Sequence, residues 1–261
     1  MRKLRKRFGQ HFLRDQAVID QIIFLLAPTL QEHLVEIGPG DGALTLPLLK
    51  KIHHLEAIEL DRDLIDPLKN RAKSAGELVV YSADALTFDF ETLKKDERLL
   101  HVFGNLPYNI STPLIFHLLY FSPFIADMLL MLQKEVAMRL AAKEKTKEYG
   151  RLSVMVQYHC QVELLFNISS NAFYPPPKVQ SSLVRLTPYR KLPHPAKDYL
   201  LFESIVKQAF GQRRKTLRNS LKALIADQEW ASLPIHSNCR PEELTVHDFV
   251  ELSNTLKGTS Q

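Results

Sequence analysis

Val35-Glu36-Ile37-Gly38-Pro39-Gly40-Asp41-Gly42 runs an apolar strand into three glycines at alternate positions, and residues 43–49 behind them read as a helix. Glycine lets backbone approach a bound molecule closely, so a turn of this kind can hold a ligand as well as bend the chain. Its spacing is one residue short of the dinucleotide fingerprint before the third glycine. Outward from this turn the pattern repeats. A second strand over 54–60 carries Glu59 near its end with Asp61 just beyond, about where nucleotide folds place an acid for ribose hydroxyls. A third over 78–81 leads into Ser82-Ala83-Asp84-Ala85, where Asp84 reads either as a helix cap or as an acceptor for the amino group of an adenine. A fourth, the apolar run 99–103, is followed by Asn105-Leu106-Pro107-Tyr108. Ligands in open α/β sheets bind at the carboxyl ends of the strands, so four successive strand ends make one expected site.

The fourth strand end suits the amino group of a flat base. The lone pair of an exocyclic amine is delocalised into its ring, and acceptors for its N–H bonds draw that pair out toward an electrophile. The Asn105 side-chain oxygen can accept one such bond, and the Leu106 carbonyl, without a ladder partner where Pro107 stiffens the turn, can accept another. Tyr108 offers a face for stacking, worth roughly 1–3 kcal/mol per base in single-stranded recognition. Asn and Pro are also ordinary turn formers, and it is the other three strand ends that favour the functional reading.

With those pieces in place the chain resembles the class I S-adenosylmethionine-dependent methyltransferases, and in detail the KsgA family of ribosomal RNA adenine dimethyltransferases. The likeness rests on Lys6-Arg7-Phe8-Gly9-Gln10-His11-Phe12-Leu13, the glycine turn with Glu36, Glu59, Ser82-Ala83-Asp84, Asn105-Leu106-Pro107-Tyr108, Phe173-Tyr174-Pro175-Pro176-Pro177-Lys178-Val179-Gln180-Ser181, and Arg213-Arg214-Lys215-Thr216-Leu217-Arg218-Asn219. It implies S-adenosyl-L-methionine as cofactor, with Gly38 against its methionine part, Glu59 on the ribose hydroxyls and Asp84 reading its adenine. His11 and Leu13 match the segment that closes over the cofactor, and Asn105 would sit beside the methyl and the target amine. Phe173 matches a second aromatic, packing on the flipped adenine opposite Tyr108. The implied reaction is direct in-line methyl transfer to the N6 amines of two adjacent adenosines near the 3′ end of small-subunit (16S) rRNA, coupled to late 30S subunit maturation. Leu106 stands where monomethylating enzymes often carry Pro, which is compatible with a second round. The base must leave its stack to reach such a pocket.

The 261 residues suit one medium domain and a smaller one. A net charge of +5 and a pI near 9.1 favour a polyanionic partner. Six basic residues and no acid lie between Arg2 and Arg14, and six again between Ser204 and Ala226. The second run contains the expected RNA-binding residues Arg213, Arg214, Lys215, Arg218 and Lys222. Its first four follow Gly211 on what reads as the start of a helix, where cations oppose the dipole and a phosphate would satisfy them. Two cysteines, Cys160 and Cys239, lack metal or redox spacing, which fits a reducing, cytoplasmic compartment. Asp15 and Asp20 interrupt any apolar stretch after the basic start, so no signal peptide is expected, and no membrane span is visible.

Strands and helices alternate through Leu132, an α/β doubly wound pattern. Residues 151–168 and 182–187 then read as two long strands, a hairpin closing the sheet, with the Pro-rich loop between them. Asp15 is expected to cap a first helix that Pro28 ends. After a linker at 189–196 only helices are expected, over 197–210, 213–225 and 245–256. The expected division is therefore a methyltransferase domain over 1–190 with an N-terminal covering segment, and a helical RNA-binding domain over 191–261, in a monomer. The alternatives are an Erm-type enzyme acting on large-subunit rRNA, a protein or DNA amine methyltransferase that would leave the basic tracts unexplained, and a noncatalytic ribosome-assembly factor that kept the fold.

Overall fold

The computed structural model describes residues 10–212 and 215–259, so the expected contributions of Lys6 to Gly9, of Arg213 and of Arg214 lie outside it. In chain order the elements are β1 (Phe12–Leu13), α1 (Gln16–Leu26), β2 (His33–Ile37), α2 (Thr45–Ile52), β3 (His54–Glu59), α3 (Arg62–Ala72), β4 (Glu77–Ser82), β5 (Leu100–Asn105), α4 (Ser111–Tyr120), β6 (Ile125–Gln133), α5 (Lys134–Leu140), α6 (Arg151–His159), β7 (Cys160–Ile168), β8 (Phe173–Tyr174), β9 (Ser181–Pro188), α7 (Tyr199–Ala209), α8 (Leu217–Ser220) and α9 (Val246–Thr259).

Seven strands form one sheet in the order β4-β3-β2-β5-β6-β9-β7. β4, β3, β2, β5 and β6 run parallel, and β9 returns antiparallel against β6. All five residues of β2 are buried, as expected of a central parallel strand covered on both faces. The chain leaves β2 toward β3 on one side and is joined by β5 on the other, so the strand order reverses there. A crevice at the carboxyl ends of the strands follows from that reversal. The residue before the last of β5 is part of this close packing: a Cβ at Gly104 would overlap the Ile37 carbonyl oxygen of β2. Backbone cannot give way as a flexible side chain can. Gly104→Ala is expected to lower stability by about 3 kcal/mol, measured by urea denaturation; a loss under about 1 kcal/mol would mean that the strand ends are looser than this.

α1 is capped as its sequence suggests, with Asp15 accepting from the N–H groups of Ala17 and Val18 at 3.0 and 3.2 Å. β1 does not join the main sheet. It pairs antiparallel with β8, Phe12 opposite Tyr174 and Leu13 opposite Phe173, which ties the N-terminal segment to the Pro-rich loop.

Two helical expectations need correction. The first half of the expected strand over 151–168 is helix α6. Val154, Met155, Val156 and Tyr158 are all buried, and a continuous apolar run does not distinguish a buried helix from a buried strand by periodicity. The deciding contacts are non-local: Ser153 Oγ accepts from Gly150 N–H and donates to the Arg139 carbonyl, while Gln157 Nε2 donates to the carbonyls of Leu140 and Ala142. Of the described residues 215–225 in the expected helix over 213–225, only the four of α8 are α-helical. Leu217, Leu221 and Ile225 are buried at helical spacing, and the N–H groups of Leu217 and Arg218, which have no partner within a helix that starts there, donate to the carbonyls of Cys239 and Ser237.

The chain divides into two compact units, one running to Ala137 and including Glu163–Pro188, the other made of Met138–Val162 and everything from Tyr189 onward. The expected division into 1–190 and 191–261 cuts the chain once, whereas these units cross three times, with residues 138–162 placed in the helical unit. In that unit α7 begins at Asp198, which accepts from Leu201 N–H at 3.0 Å, and α7 packs against α6 and α9. No helix among the described residues is long and apolar enough to cross a membrane.

Candidate active site

The crevice at the strand ends of the first unit is lined by His11, Leu13, Gly38, Glu59, Asp84, Asn105, Leu106, Pro107 and Tyr108. Nine of the ten residues expected at the cofactor and target base therefore meet in one place. Phe173 does not. It is 3% exposed and belongs to the hydrophobic core with Leu13, Phe103 and Met131, because alternation along β8 sends Phe173 inward and Tyr174 outward. Leu13 and Met131 belong to the same core and do line the crevice, so Phe173 lies in the layer of side chains directly behind that site.

The cofactor side is organised by backbone. Gly38 and Gly40 have φ values of 67° and 57°, a left-handed conformation that costs glycine little, and a Cβ at Gly40 would press within 3.1 Å of the Phe12 ring. Glu59, 6% exposed, accepts from Asp61 N–H through Oε1 at 2.8 Å and from Gly40 N–H through Oε2 at 3.2 Å. Each carboxylate oxygen keeps a further lone pair for a hydroxyl donor. Burial pushes the Glu59 carboxyl above the ordinary range, its backbone partners opposing this. Asp84 accepts from Leu86 N–H through Oδ1 at 2.9 Å, which makes it a turn cap and leaves Oδ2 for another donor. Both readings of Asp84 are thus met by different atoms of one carboxylate.

Glu36, at the floor of the crevice, is 2% exposed and accepts from Thr45 Oγ1 at 2.6 Å. Burial, reinforced by the charges of Glu59 and Asp41, raises its pKa from 4.5 to about 8. Folding therefore takes up a proton across that window, and stability falls as pH rises through it. Glu36→Gln, which has no charge to lose, is expected to gain on the wild type by up to about 1.4 kcal/mol per pH unit between pH 5 and 8. Parallel denaturation curves over that range would refute this.

The target side is organised by the N-terminal strap. Asn105 Nδ2 donates to the His11 carbonyl at 2.8 Å. A carbonyl only accepts, so the amide orientation is determined and Oδ1 remains as an acceptor that no described residue engages. The Leu106 N–H donates to the Met131 carbonyl at 3.1 Å, while no described residue donates to the Leu106 carbonyl. Tyr108 Oη is hydrogen-bonded to Ser181 Oγ at 2.7 Å, and burial raises its pKa, so the phenol stays neutral. The His11 ring stacks on Tyr108, centroids 5.6 Å apart and planes 29° from parallel, and its Nδ1 lies 2.6 Å from the Pro175 carbonyl.

Several contributors went unassigned from sequence. Gln10 Nε2 donates to Asp61 Oδ2 at 3.0 Å. Arg14 pairs with Asp41 at 2.5 Å, and Arg71 donates to the Asp41 carbonyl. These clip the strap and helix α3 to the glycine turn; their residue types were visible, but their partners lie far along the chain. In the helical unit Lys215 and Lys222 are exposed. Arg218, the second residue of the single-turn helix α8, forms an exposed pair with Asp227 at 2.9 Å. For Arg218 the partner expected to be a phosphate is supplied within the chain by Asp227.

The crevice fits S-adenosylmethionine. Glu36, Asp41, Glu59, Asp61 and Asp84 all line it, an acidic environment in a basic chain, suited to a cationic ligand bearing hydroxyl and amino groups, above a glycine floor that a Cβ would fill.

The family description "Ribosomal RNA adenine dimethylase" matches residues 1–257. A protein named ribosomal RNA small subunit methyltransferase A from Pseudomonas syringae pv. syringae (strain B728a) is 53% identical over 254 residues, 97% of this chain and 95% of its own length. One of the same name from Nitrosococcus oceani is 53% identical over 251 residues, 96% of this chain and 95% of its own. Among solved structures, a dimethyladenosine transferase from Plasmodium falciparum aligns with a TM-score of 0.80 at 26% identity, covering 96% of this chain and 98% of that one. The 23S rRNA methyltransferase ErmE aligns at 0.71 and 22% identity, over 94% of this chain and 99% of that one, and so shares the fold. With a match spanning nearly its whole length and the strand-end residues gathered in one crevice, the chain belongs to the ribosomal RNA adenine dimethylase family.

Proposed function

We propose that this protein dimethylates the N6 amines of adenosines in small-subunit rRNA, with S-adenosylmethionine as methyl donor. The observation that carries the reading is the pair of acceptors at the end of β5. The amide's bond to the His11 carbonyl leaves Asn105 Oδ1 as an acceptor, and the next residue carries the Leu106 carbonyl; both residues line the crevice and together offer two acceptors for the two N–H bonds of an exocyclic amine. After the first methyl is added one N–H remains, and one acceptor suffices to hold it for the second.

When bound, the cofactor supplies an electrophilic sulfonium methyl. Glu59 and Asp84 would hold its hydroxyl and amino groups, and Gly38 and Gly40 would let backbone lie against it. The strap from Gln10 to Arg14, clipped through Asp61 and Asp41, excludes water from that side. Asn105 and Leu106 aim the nitrogen lone pair, and orientation of this kind accounts for up to roughly 7–11 kcal/mol in favourable reactions. The proton leaves the nitrogen after transfer, when methylation has made it acidic, so no dedicated base is required.

The small-subunit assignment is supported by relatives of more than half identity that bear that name, whereas the large-subunit enzyme shares the fold at low identity. An intact acceptor pair and acidic crevice favour catalysis over a purely architectural role. We extend the reading to two adjacent adenosines near the 3′ end of 16S rRNA, in an assembling 30S particle, by a cytoplasmic monomer whose exposed Lys215, Arg218 and Lys222 contact phosphates. Both cysteines are free thiols, consistent with a reducing compartment. The test is incubation with labelled cofactor and undermethylated small subunits, with large subunits in parallel, followed by nucleoside mass spectrometry. N6,N6-dimethyladenosine in the small subunit alone is expected; label in the large subunit would move the assignment to the other rRNA, and absence of label from both would refute it.

A further inference from the structure

The geometry points to the outer rim of the crevice as the seat of the nucleotide next to the target adenosine, with the Tyr174 ring under its base and Lys178 on a phosphate beside it. This deepens the adenosine-methylation reading above and rests on it. The loop that follows β8 is stiff and pinned at both ends. Pro175, Pro176 and Pro177 each hold φ within a narrow range. At its start the Pro175 carbonyl lies 2.6 Å from His11 Nδ1. At its end the Gln180 carbonyl accepts from Lys134 N–H at 2.9 Å, and Ser181 Oγ is hydrogen-bonded to Tyr108 Oη at 2.7 Å. His11 and Tyr108 both line the crevice, so the loop between these contacts is fixed as its rim.

On that rim Tyr174 is 55% exposed and Lys178 is exposed as well. Tyr174 stands opposite Phe12 across the two-stranded ribbon; residues paired in this way share a face, with Cβ atoms about 5 Å apart, and Phe12 lines the crevice. The tyrosine therefore lies beside the crevice without entering it. Among the described residues no ring packs on Tyr174 and no acid pairs with Lys178. Drawing one base out of its stack uncovers a face of the base next to it. An exposed aromatic ring at the rim covers such a face whatever the base, and a lysine four residues further on meets the phosphate chain. Because the loop is already rigid, little freedom is lost when RNA docks on it. Where two adjacent adenosines are modified, one occupies the crevice while the other rests on Tyr174, and the two then exchange places.

The test uses the full chain and undermethylated small subunits reconstituted with rRNA in which the nucleotide 5′ or 3′ of the target adenosine is abasic. With intact RNA, Tyr174→Ala is expected to raise KM for the subunit about 10-fold, with little change in kcat or in cofactor affinity measured by calorimetry. Tyr174→Phe, which keeps the ring, recovers most of that loss. With one of the two abasic substrates, wild type falls to the level of Tyr174→Ala and the substitution costs nothing further. Lys178→Ala lowers the slope of log kcat/KM against log salt concentration by about one; an unchanged slope would remove Lys178 from the rim site. The Tyr174 assignment is overturned by a Tyr174→Ala effect that persists undiminished on both abasic substrates, by no effect on intact RNA, by failure of Tyr174→Phe to recover it, or by a loss traced to cofactor binding or unfolding. In those cases wild type still methylates rRNA adenosine and the function stands. If wild type transfers no methyl to rRNA adenosine, the function reading fails and this inference fails with it.

Discussion

Replacing Asn105 with alanine is expected to reduce the single-turnover rate of methyl transfer by about 10²–10³-fold at saturating cofactor, the loss typical of removing one preorganised polar group from a reacting centre. The fold should survive. Asn105 contributes one side-chain hydrogen bond to the structure, from Nδ2 to the His11 carbonyl, worth about 1 kcal/mol, which for a chain of this size shifts the unfolding midpoint by about 2–4 °C. Asn105→Asp is the sharper variant. It retains side-chain oxygens but cannot donate to the His11 carbonyl, and it sets carboxylate against carbonyl, so the strap and the acceptor are both misplaced. If the determined orientation of the amide is what matters, Asn105→Asp falls as far as Asn105→Ala, despite being nearly isosteric. A rate within tenfold of wild type for either variant, measured by rapid quench, would remove Asn105 from the mechanism.

The second large effect is on cofactor affinity. Glu59→Ala is expected to weaken S-adenosylmethionine binding about 100-fold by calorimetry, two tenfold steps at roughly 1.4 kcal/mol each, because hydrogen bonds to a buried carboxylate lie at the strong end of the range. Part of the loss is indirect: Glu59 also accepts from the N–H groups of Gly40 and Asp61, so without it the glycine turn loses a fixed partner. Glu59→Gln does not rescue, since its amide group would set N–H against one of those backbone N–H donors. Acidification acts in the same direction. The carboxyl is held above its ordinary range by burial, so the acceptor is lost on protonation at a higher pH than for an exposed glutamate, and affinity falls from there downward. Affinity unchanged in Glu59→Ala would place the ribose hydroxyls elsewhere.

The parallel strands and the side chains at their ends were legible from sequence because both are short-range matters. An apolar run ended by Gly38, Glu59, Asp84 or Asn105 is visible within a window of ten residues, and in a parallel sheet every such end falls on the same side. The N-cap of α1 was readable for the same reason, as Asp15 bonds to residues two and three ahead of it. The apolar run through Val154 and Met155 was not, because helix or strand depended on Ser153 and Gln157 finding the carbonyls of Arg139, Leu140 and Ala142. Arg218 was misread for want of knowing that α8 has a single turn and that Asp227 lies beside it.

By itself, then, the sequence determined the α/β alternation, the glycine turn, the acids and the Asn-Leu-Pro-Tyr end of β5, all set by local pattern and by the handedness of parallel connections. Only the tertiary structure decided which atoms of those residues are available. The amide of Asn105 is oriented by a carbonyl 94 positions away, and the ring of His11 is anchored by one 164 positions away. Phe173 is brought against Leu13 and the core by the pairing of a two-residue ribbon whose strands lie 160 positions apart. Hydrogen-bond direction and ring placement depend on partners that the chain brings together only when it closes on itself, and no window along the sequence contains them.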